Sequence, residues 1–334
     1  MDFLSDHNVA EVEIPGQRLY NGKRFPTILK PLQPTCSLTN WIESNKELIY
    51  KKLLDSRAIL FRGFPVVTPQ DFHDVIDATG LKSMEYIGGA AVRTRLTSRV
   101  FTANESPSSE NIPFHHEMSQ VPDPPTHLLF FCLSPPDTDG ETPILISEEI
   151  INIMTEKHPE FMREIEREGV RYIRVMSEED DPSSAIGRGW RSTYQTDDRV
   201  VAEEKLREQG CTWEWDYLAP GNLRTVTAIL PAVRDDYGEG RTQTKAFFNS
   251  MVAAYTGWND SRNRGEEAVI LGNGARCNAE AIDDAVCIMN DVCVAIPWER
   301  GDVLLVDNRT VMHARRFFSG DRRILASLIR DPTH

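Results

Sequence analysis

The chain has 334 residues, 40% of them hydrophobic and 26% charged, a composition that excludes collagenous, coiled-coil and wholly disordered proteins. Its formal net charge of −14 disfavours binding to nucleic acid or anionic lipid, although an acidic exterior is compatible with a local basic pocket. A chain of this length buries a sizeable core, and β-rich domains often exceed about 200 residues, so we expect one large domain.

The chain shows no sequence signal for export or for a membrane anchor. Its N-terminus lacks the basic start and apolar run of a signal peptide, and no apolar run approaches the roughly 20 residues that span a membrane. The cysteines form no CxxC pair, which argues against zinc-knuckle and thioredoxin-like motifs and indicates reduced thiols. We therefore expect a cytoplasmic protein. The cysteines are Cys36, Cys132, Cys211, Cys277, Cys287 and Cys293.

Helical periodicity dominates the start of the chain, and short apolar or alternating runs dominate the middle and the end. Cap residues, prolines at first helical positions and terminal glycines mark the boundaries. In chain order, the predicted elements are an N-terminal arm over 1–35, a helix over 40–54 with Asn40 and Glu43 in capping-box positions, a buried strand at 58–61, a helix from Thr68 and Pro69 to Gly80, strands between 86 and 146, a helix from Ser147 interrupted at Pro159, a polar loop at 177–199, strands at 224–233 and 244–249, a helix through 282–292 and a buried strand at 303–306.

This order of elements favours an α+β protein with a mainly β core, either an antiparallel sandwich or a barrel. A doubly wound sheet is disfavoured because regular βαβ alternation is missing. The chain has neither a GxGxxG after a strand nor a GxxxxGK[ST], so nothing predicts a nucleotide-phosphate site. We expect a single domain over residues 36–334, with a lid or insert around residues 177–222.

A short cluster of potential metal ligands lies in Phe114-His115-His116-Glu117. Residues i and i+2 of an extended segment project to the same face, so His115 and Glu117 can bind one ion while His116 points away. His313, which follows the buried run at 303–306, is the candidate third ligand. Two imidazoles and one carboxylate on one face leave three coordination positions open, which suits non-haem iron(II) and oxygen chemistry.

An arginine shortly after His313 adds a potential anion site. Arg323 opens an apolar run after a turn, and its guanidinium can form a bidentate pair with a carboxylate. Its neighbour Arg322 belongs to the opposite strand face and is expected to be solvated. Thr142, at the start of another strand, can supply a hydroxyl to the same anion. These residues predict a carboxylate anchor beside the metal.

Together, these motifs resemble the taurine dioxygenase and clavaminate synthase-like family of iron(II)/2-oxoglutarate oxygenases over residues 53–328. Glutamate in the metal motif is typical of the clavaminate synthase-like branch. The motifs that carry the resemblance are Phe61-Arg62-Gly63-Phe64, Phe101-Thr102-Ala103-Asn104-Glu105, Phe114-His115-His116-Glu117, Gly140-Glu141-Thr142, the segment from Phe248 to Tyr255, and Gly301-Asp302 through His313 to Arg323.

The resemblance implies a double-stranded β-helix, or jelly roll, with flanking helices, in which His115, Glu117 and His313 bind iron(II). It implies that Thr142 and Arg323 hold the distal carboxylate of 2-oxoglutarate. This cosubstrate and dioxygen react at the iron, with release of succinate and carbon dioxide. Hydroxylation of a small-molecule substrate is the expected outcome, and desaturation or ring closure are the alternatives.

The substrate itself is not specified by these motifs. Ser327 stands where some relatives with anionic substrates carry a further arginine, which argues against recognition of a sulfonate or a phenoxyacetate. The candidate substrate-side residues are Tyr86, Arg93, Asn104 and Arg188, the last in the segment 188–190. The oligomeric state is not indicated by any feature of the sequence.

Two other functions are compatible with the ligand cluster. Two histidines and a glutamate also suit a catalytic zinc ion with a bound water, so a zinc-dependent hydrolase is one alternative, which leaves Arg323 and Thr142 unexplained. A non-catalytic jelly-roll binding protein is the other. An iron halogenase is disfavoured because Glu117 occupies the position that a halide needs.

Overall fold

The structure, a computed structural model, describes residues 8–236 and 244–331 of the chain. Within these ranges no helix combines the length and the apolar character that a bilayer span requires. The strands are β1 (Val9–Val12), β2 (Arg18–Tyr20), β3 (Lys23–Phe25), β4 (Thr27–Pro31), β5 (Ala58–Phe61), β6 (Lys82–Ser83), β7 (Phe101–Thr102), β8 (Ile112–His115), β9 (His127–Ser134), β10 (Thr138–Asp139), β11 (Ile144–Ile146), β12 (Val170–Met176), β13 (Thr212–Trp215), β14 (Leu223–Val226), β15 (Arg234–Asp236), β16 (Thr244–Ala246), β17 (Val269–Leu271), β18 (Val303–Asp307), β19 (Val311–Arg315), β20 (Phe318–Ser319) and β21 (Arg323–Arg330).

The helices flank these strands and include several single turns. They are α1 (Leu38–Ser44), α2 (Lys46–Ser56), α3 (Pro69–Thr79), α4 (Ser147–Lys157), α5 (Pro159–Glu168), α6 (Trp190–Tyr194), α7 (Arg199–Glu208), α8 (Met251–Gly257), α9 (Gly265–Ala268) and α10 (Ala279–Val292).

The largest sheet joins segments from the beginning, middle and end of the chain. Its strand order is β1-β4-β5-β18-β9-β21-β6, and β7 also pairs with β21. All of these pairs are antiparallel except β4 with β5. A three-stranded sheet, β11-β19-β8, carries the metal motif and the segment around His313. This mixture of sheets and helices confirms the predicted α+β class.

The core lies on both faces of the large sheet because neighbouring side chains of a strand point to opposite sides. Phe130 of β9 belongs to an apolar cluster with Ile144 and Val311 of the small sheet. Phe131, its neighbour, faces the other way and stacks on Phe72 of α3 with ring centroids 5.2 Å apart. The large sheet is therefore covered by helices α1 to α3 on one face and by the small sheet on the other.

The N-terminal arm predicted over residues 1–35 differs from the observed structure. In its described part, β4 pairs with β5 and β1 pairs with β4, so residues 9–12 and 27–31 extend the large sheet, while β2 and β3 form a separate hairpin. Ile28 and Leu29 are fully buried in it. The strands are only three to five residues long, which leaves too short an alternating pattern for recognition from sequence. Residues 1–7 lie outside the described residues.

The helix predictions were accurate where the end signals were strong. Thr68 and Asp71 form the capping box of α3, and Gly80 ends that helix as predicted. The helix predicted over 40–54 is instead two helices, because α1 is capped by Ser37 and ends at Asn45 before α2 begins. The capping-box positions predicted for the start of that helix are therefore wrong.

The polar loop predicted at 177–199 contains a short helix, and the insert predicted around 177–222 contains further secondary structure. It carries α6, α7 and β13, and β13 pairs with β14. Its own apolar cluster includes Trp190, Tyr194 and Leu206, all buried. A segment that is polar on average is ordered here because a few large side chains form a small core of their own.

Candidate metal centre and active site

Three potential metal ligands meet where β8 and β19 pair. His115 lies directly opposite His313 in the register of these strands, and Glu117 follows two residues later. Their ligand atoms all lie within 4.8 Å of one another. The Nε2 atom of His313 is 3.6 Å from Oε2 of Glu117, and the two imidazole centroids are 4.3 Å apart. The structure thus brings together the three residues that the sequence singled out.

The imidazole of His115 is oriented for metal binding. Its Nδ1 donates a hydrogen bond to the carbonyl oxygen of Pro113 at 2.9 Å, which leaves Nε2 free to coordinate. Burial, together with the neighbouring His313, lowers the pKa of His115 to about 4. The ring is therefore neutral near pH 7, the protonation state that binds a metal ion.

The carboxylate of Glu117 is held ionised by a buried arginine. Nη2 of Arg93 donates to both carboxylate oxygens, at 3.0 and 2.9 Å. Burial by itself favours the neutral acid, but the charge of Arg93 and the contact with His313 outweigh it and lower the pKa of Glu117 below its usual range. Glu117 therefore presents a negative charge to the cluster without needing solvent to stabilise it.

Asn308 fixes the backbone of the metal motif. Its Oδ1 accepts from the N–H of Glu117 at 2.9 Å, while its Nδ2 donates to the carbonyl oxygens of Glu117 at 3.1 Å and Pro125 at 2.7 Å. His116 turns away from the cluster, bonds the carbonyl oxygen of Asn308 and stacks on Phe248. We had assigned no role to Asn308, and its only sequence signal is its place between a buried strand and His313.

A cavity of about 430 Å³ beside the ligand cluster contains a partly buried arginine, Arg322, next to Thr142. Nε of Arg322 donates to the carbonyl oxygen of Gly140 at 2.7 Å, and Nη2 donates to the Thr142 hydroxyl at 3.1 Å. Trp298 donates to the same hydroxyl at 3.1 Å. Because the Thr142 oxygen already accepts two hydrogen bonds, its own proton is available for an anion.

The positive charge of this cavity lacks a carboxylate partner within the part of the chain that the structure describes. Burial, together with nearby Arg315, lowers the pKa of Arg322 to about 10, which leaves it charged near neutral pH. Arg315 also lines the cavity and donates to the backbone carbonyls of Ser106, Pro107 and Glu110. A charged, partly buried guanidinium beside a free hydroxyl proton is suited to a carboxylate.

The arginine predicted for this role, Arg323, points away from the cavity, and its neighbour Arg322 lies there instead. The side chain of Arg323 is 63% exposed, and its Nε pairs with Asp321 at 3.0 Å. Arg322 instead lines the cavity together with Ile324. Since β21 is buried on both faces beyond Arg323, its apolar residues do not reveal from sequence which arginine faces inward.

A second cavity, of about 620 Å³, opens beside the same cluster and is named here the substrate-side cavity. Three of the predicted substrate residues line it: Tyr86, Arg93 and Asn104. Asn104 also lines the Arg322 cavity. Lining residues that the sequence analysis did not single out are Asn111, Gln120, Ser250 and Trp258.

Arg188 has a structural position rather than the predicted substrate contact. Its Nη1 donates to the carbonyl oxygen of Tyr86 at 2.8 Å, and its Nη2 donates to that of Ser192 at 2.6 Å. Its guanidinium carbon also lies 4.7 Å from the centroid of the Tyr86 ring. Arg188 therefore attaches the insert to the segment that precedes Arg93, and the prediction is corrected accordingly.

Comparisons with known proteins agree with this site. The profile of the taurine catabolism dioxygenase TauD, TfdA family matches residues 29–328. A clavaminate synthase-like protein of Arabidopsis thaliana is 46% identical over 330 residues, which cover 96% of this chain and 98% of the relative. The dapdiamide synthesis protein DdaC of Enterobacter agglomerans is 25% identical over 287 residues, 84% of each chain.

Solved structures show the same fold at low sequence identity. PvcB of Pseudomonas aeruginosa, described as an Fe, alpha-ketoglutarate dependent oxygenase, aligns with a TM-score of 0.53 at 14% identity and covers 99% of this chain and 95% of its own. An asparagine oxygenase in complex with Fe(II) aligns with a TM-score of 0.53 at 13% identity, over 87% of this chain and 79% of its own.

The site and these comparisons define the class as iron(II)- and 2-oxoglutarate-dependent oxygenases. The chain belongs to the TauD/TfdA family, since the family profile spans most of its length and a clavaminate synthase-like relative shares almost half of its residues. It is accordingly a dioxygenase that uses iron(II) and 2-oxoglutarate on a small-molecule substrate. The alternatives of a zinc-dependent hydrolase and a non-catalytic binding protein are set aside.

Proposed function

We propose that His115, Glu117 and His313 hold the iron(II), and that Arg322 and Thr142 bind the distal carboxylate of 2-oxoglutarate. The observation that carries this proposal is the position of the ligand cluster between two cavities. His115 and Glu117 line both the cavity that contains Arg322 and the substrate-side cavity. A metal at this cluster is thus within reach of a carboxylate-binding cavity on one side and a substrate-sized cavity on the other.

The donor set fits iron(II). Two neutral imidazoles and one carboxylate on one side of an ion leave open positions for a chelating cosubstrate and dioxygen. When bound, iron and 2-oxoglutarate supply the activation of dioxygen. The chain contributes orientation and charge: Pro113 fixes the ring of His115, and Arg93 keeps Glu117 ionised and in place. Hydroxylation of a C–H bond in the substrate-side cavity is the proposed outcome.

We also propose that the core is a double-stranded β-helix and that the protein is cytoplasmic. The packing of the small sheet that carries His115 and His313 against the large sheet supports a double-stranded β-helix core. Among the described residues no cysteine forms a disulfide, which supports a cytoplasmic location.

Two adjacent arginines provide a matched test of the cosubstrate site. Anaerobic addition of iron(II) and 2-oxoglutarate to the wild-type protein should produce the weak visible charge-transfer band of the chelate, and His115→Ala should abolish it. Hydrogen bonds to charged groups contribute about 1.5–3 kcal/mol, so Arg322→Ala should raise the 2-oxoglutarate concentration at half-saturation by roughly tenfold to a hundredfold.

The control variant Arg323→Ala removes an exposed arginine from the next position and should bind 2-oxoglutarate as the wild type does. If Arg323→Ala bound 2-oxoglutarate more weakly than wild type while Arg322→Ala bound it normally, Arg323 rather than Arg322 would be the carboxylate-binding residue. Absence of the band from wild type under these conditions would count against the proposed ligand set as a whole.

A further inference from the structure

A third cavity, of about 420 Å³, lies beyond the substrate-side cavity and is named here the inner chamber. The two cavities share the lining residues Ala90, Gln120 and Trp258. Residues of the insert, including Tyr194 and Gln209, line its other side. The two cavities therefore adjoin at Ala90, Gln120 and Trp258, and an elongated molecule in the substrate-side cavity would reach the chamber by passing these three residues.

The inner chamber contains a buried arginine with free donors. Arg174 of β12 is only 6% exposed, and its Nη2 donates to the carbonyl oxygens of Ala90 at 3.3 Å, Ile186 at 2.8 Å and Arg188. Over residues 8–236 and 244–331, its Nε and Nη1 have no hydrogen-bond partner. Nη2 of the guanidinium thus binds backbone carbonyl oxygens, mostly of the insert, while Nε and Nη1 remain available to a ligand.

The charge of Arg174 is also uncompensated, unlike the charges of Arg62 and Arg93. Arg62 is paired with Asp302, and Arg93 is paired with Glu117. Arg174 forms no such ion pair with any described residue. Burial lowers its pKa to about 10, so it remains charged near neutral pH. An unpaired buried cation costs folding free energy, which a bound anion would offset.

The hydroxyl of Thr193 is a second polar group in the chamber that is buried without a hydrogen-bond partner among the described residues. Thr193 lines the chamber and is 1% exposed. The rest of the lining includes the rings of Tyr172 and Trp258, which suit an aliphatic chain. Arg174 and Thr193 therefore offer a cation and a hydroxyl at the end of a path that begins beside the ligand cluster.

We propose that the inner chamber binds the carboxylate of an elongated organic acid, with Arg174 as its anchor and Thr193 as an additional hydrogen-bond donor. A single guanidinium matches the charge of a monoanion and the planar shape of a carboxylate. The body of the acid then occupies the substrate-side cavity, with the C–H bond to be oxidised beside His115 and Glu117. This inference rests on the proposed function for the position of the oxidised carbon.

The test uses graded straight-chain carboxylic acids, butanoate through dodecanoate, and the primary amide of each. Each compound is titrated anaerobically into wild-type protein loaded with iron(II) and 2-oxoglutarate, and the shift of the chelate band reports binding beside the metal. Beyond a threshold length, the acid should bind at least about tenfold more tightly than its amide, the expected effect of a hydrogen bond to a charged group.

Arg174→Gln should abolish the preference for the acid while leaving the chelate band and amide binding unchanged. Arg262→Gln is the matched control, because Arg262 pairs with Asp181 and Asp260 of the insert and its neighbouring loop without lining the chamber. This variant should keep the acid preference. If it loses the preference as Arg174→Gln does, the effect comes from the ordering of the insert, and the proposal is overturned.

Two further variants keep the test decisive if Arg174→Gln does not fold. Arg174→Lys retains the charge but not the planar guanidinium and should show a reduced preference, and Thr193→Val should weaken acid binding severalfold without affecting the amide. Equal binding of acid and amide by wild type, or an unchanged preference in both of these variants, overturns the proposal. Failure of the proposed iron and 2-oxoglutarate site would appear separately, as loss of the chelate band in wild type.

Discussion

Nη2 of Arg93 donates to both carboxylate oxygens of Glu117, at 3.0 and 2.9 Å, in a site where the two side chains are only 7% and 6% exposed. The guanidinium of Arg93 also lies 4.2 Å from the ring centroid of Tyr86, whose backbone carbonyl accepts a hydrogen bond from Arg188 of the insert. A proposed iron ligand is thus connected through two side chains to the segment that covers the cavities.

The first prediction concerns this arginine. Arg93→Lys replaces a planar donor by a smaller point charge, so Glu117 should lose its fixed orientation. Because loss of a group that orients a metal ligand typically weakens metal binding about 10–100-fold, the dissociation constant for iron(II) should rise by that factor. Anaerobic titration of iron(II) in the presence of 2-oxoglutarate measures it.

A nearby arginine on the surface serves as the control for that prediction. Arg95 pairs with Glu85 and is 46% exposed, so Arg95→Lys should leave iron affinity unchanged. Equal iron affinities for Arg93→Lys and wild type would show that Glu117 does not depend on Arg93 for its position.

The second prediction concerns Asn308. Asn308→Asp keeps the shape of the side chain but removes the Nδ2 donor from the carbonyl oxygens of Glu117 and Pro125. Leaving buried acceptors unsatisfied costs about 1–3 kcal/mol each, so the free energy of unfolding of the apoprotein should fall by about 2 kcal/mol or more. Urea unfolding measures the change. The exposed Asn290→Asp should alter it by less than about 0.5 kcal/mol, and an equally small loss in Asn308→Asp would contradict the prediction.

The third prediction concerns two motifs that are far apart in sequence and form a buried ion pair. Nε and Nη2 of Arg62 donate to the two carboxylate oxygens of Asp302 at 2.9 and 2.6 Å, where β5 pairs with β18. Arg62→Met leaves the buried Asp302 without its cationic partner and should lower the free energy of unfolding by about 3–5 kcal/mol in chemical denaturation.

The exposed pair of Lys23 and Asp55 provides the comparison for that ion pair. Lys23→Met should cost less than about 1 kcal/mol, because solvent already screens both charges. If Lys23→Met and Arg62→Met lowered the free energy of unfolding by similar amounts, burial would not increase the cost of removing the cation from an ion pair.

The fourth prediction is a pH dependence of the apoprotein's stability. Burial lowers the pKa of His115 to about 4 and that of His116 to about 3, from an ordinary value of 6.5. Between about pH 6.5 and pH 3, the two imidazoles bind protons in the unfolded chain but stay neutral in the native state. The free energy of unfolding should therefore fall as the pH decreases through this range. Above pH 6.5 these residues should contribute no pH dependence.

A variant of His116 separates its contribution from that of other titrating groups. His116→Gln removes one of the two groups, so the loss of stability between pH 6.5 and pH 4 should be smaller than in wild type, by about 1.4 kcal/mol for each pKa unit of the shift within that interval. Urea unfolding over a series of pH values measures both proteins. If the free energy of unfolding depended on pH equally in wild type and His116→Gln, the fold would not hold His116 neutral.

Features that depend on local geometry could be predicted from the order of the residues alone. The i, i+2 spacing put His115 and Glu117 on one face, because alternate side chains of an extended segment point to the same side. The ends of α3 were also predictable, since Thr68 caps the first turn, Pro69 occupies its first position and Gly80 ends the helix in a left-handed conformation.

Tertiary structure decided what depends on strand pairing. Only the pairing of β21 showed that Arg322 rather than Arg323 faces the cavity, because an apolar run buried on both sides has no distinguishable faces in sequence. Asn308 reaches the metal motif across 191 residues of chain, and Arg174 acquires its cavity only when the insert packs against β12. Such contacts arise from register and packing between distant segments, which no short sequence pattern encodes.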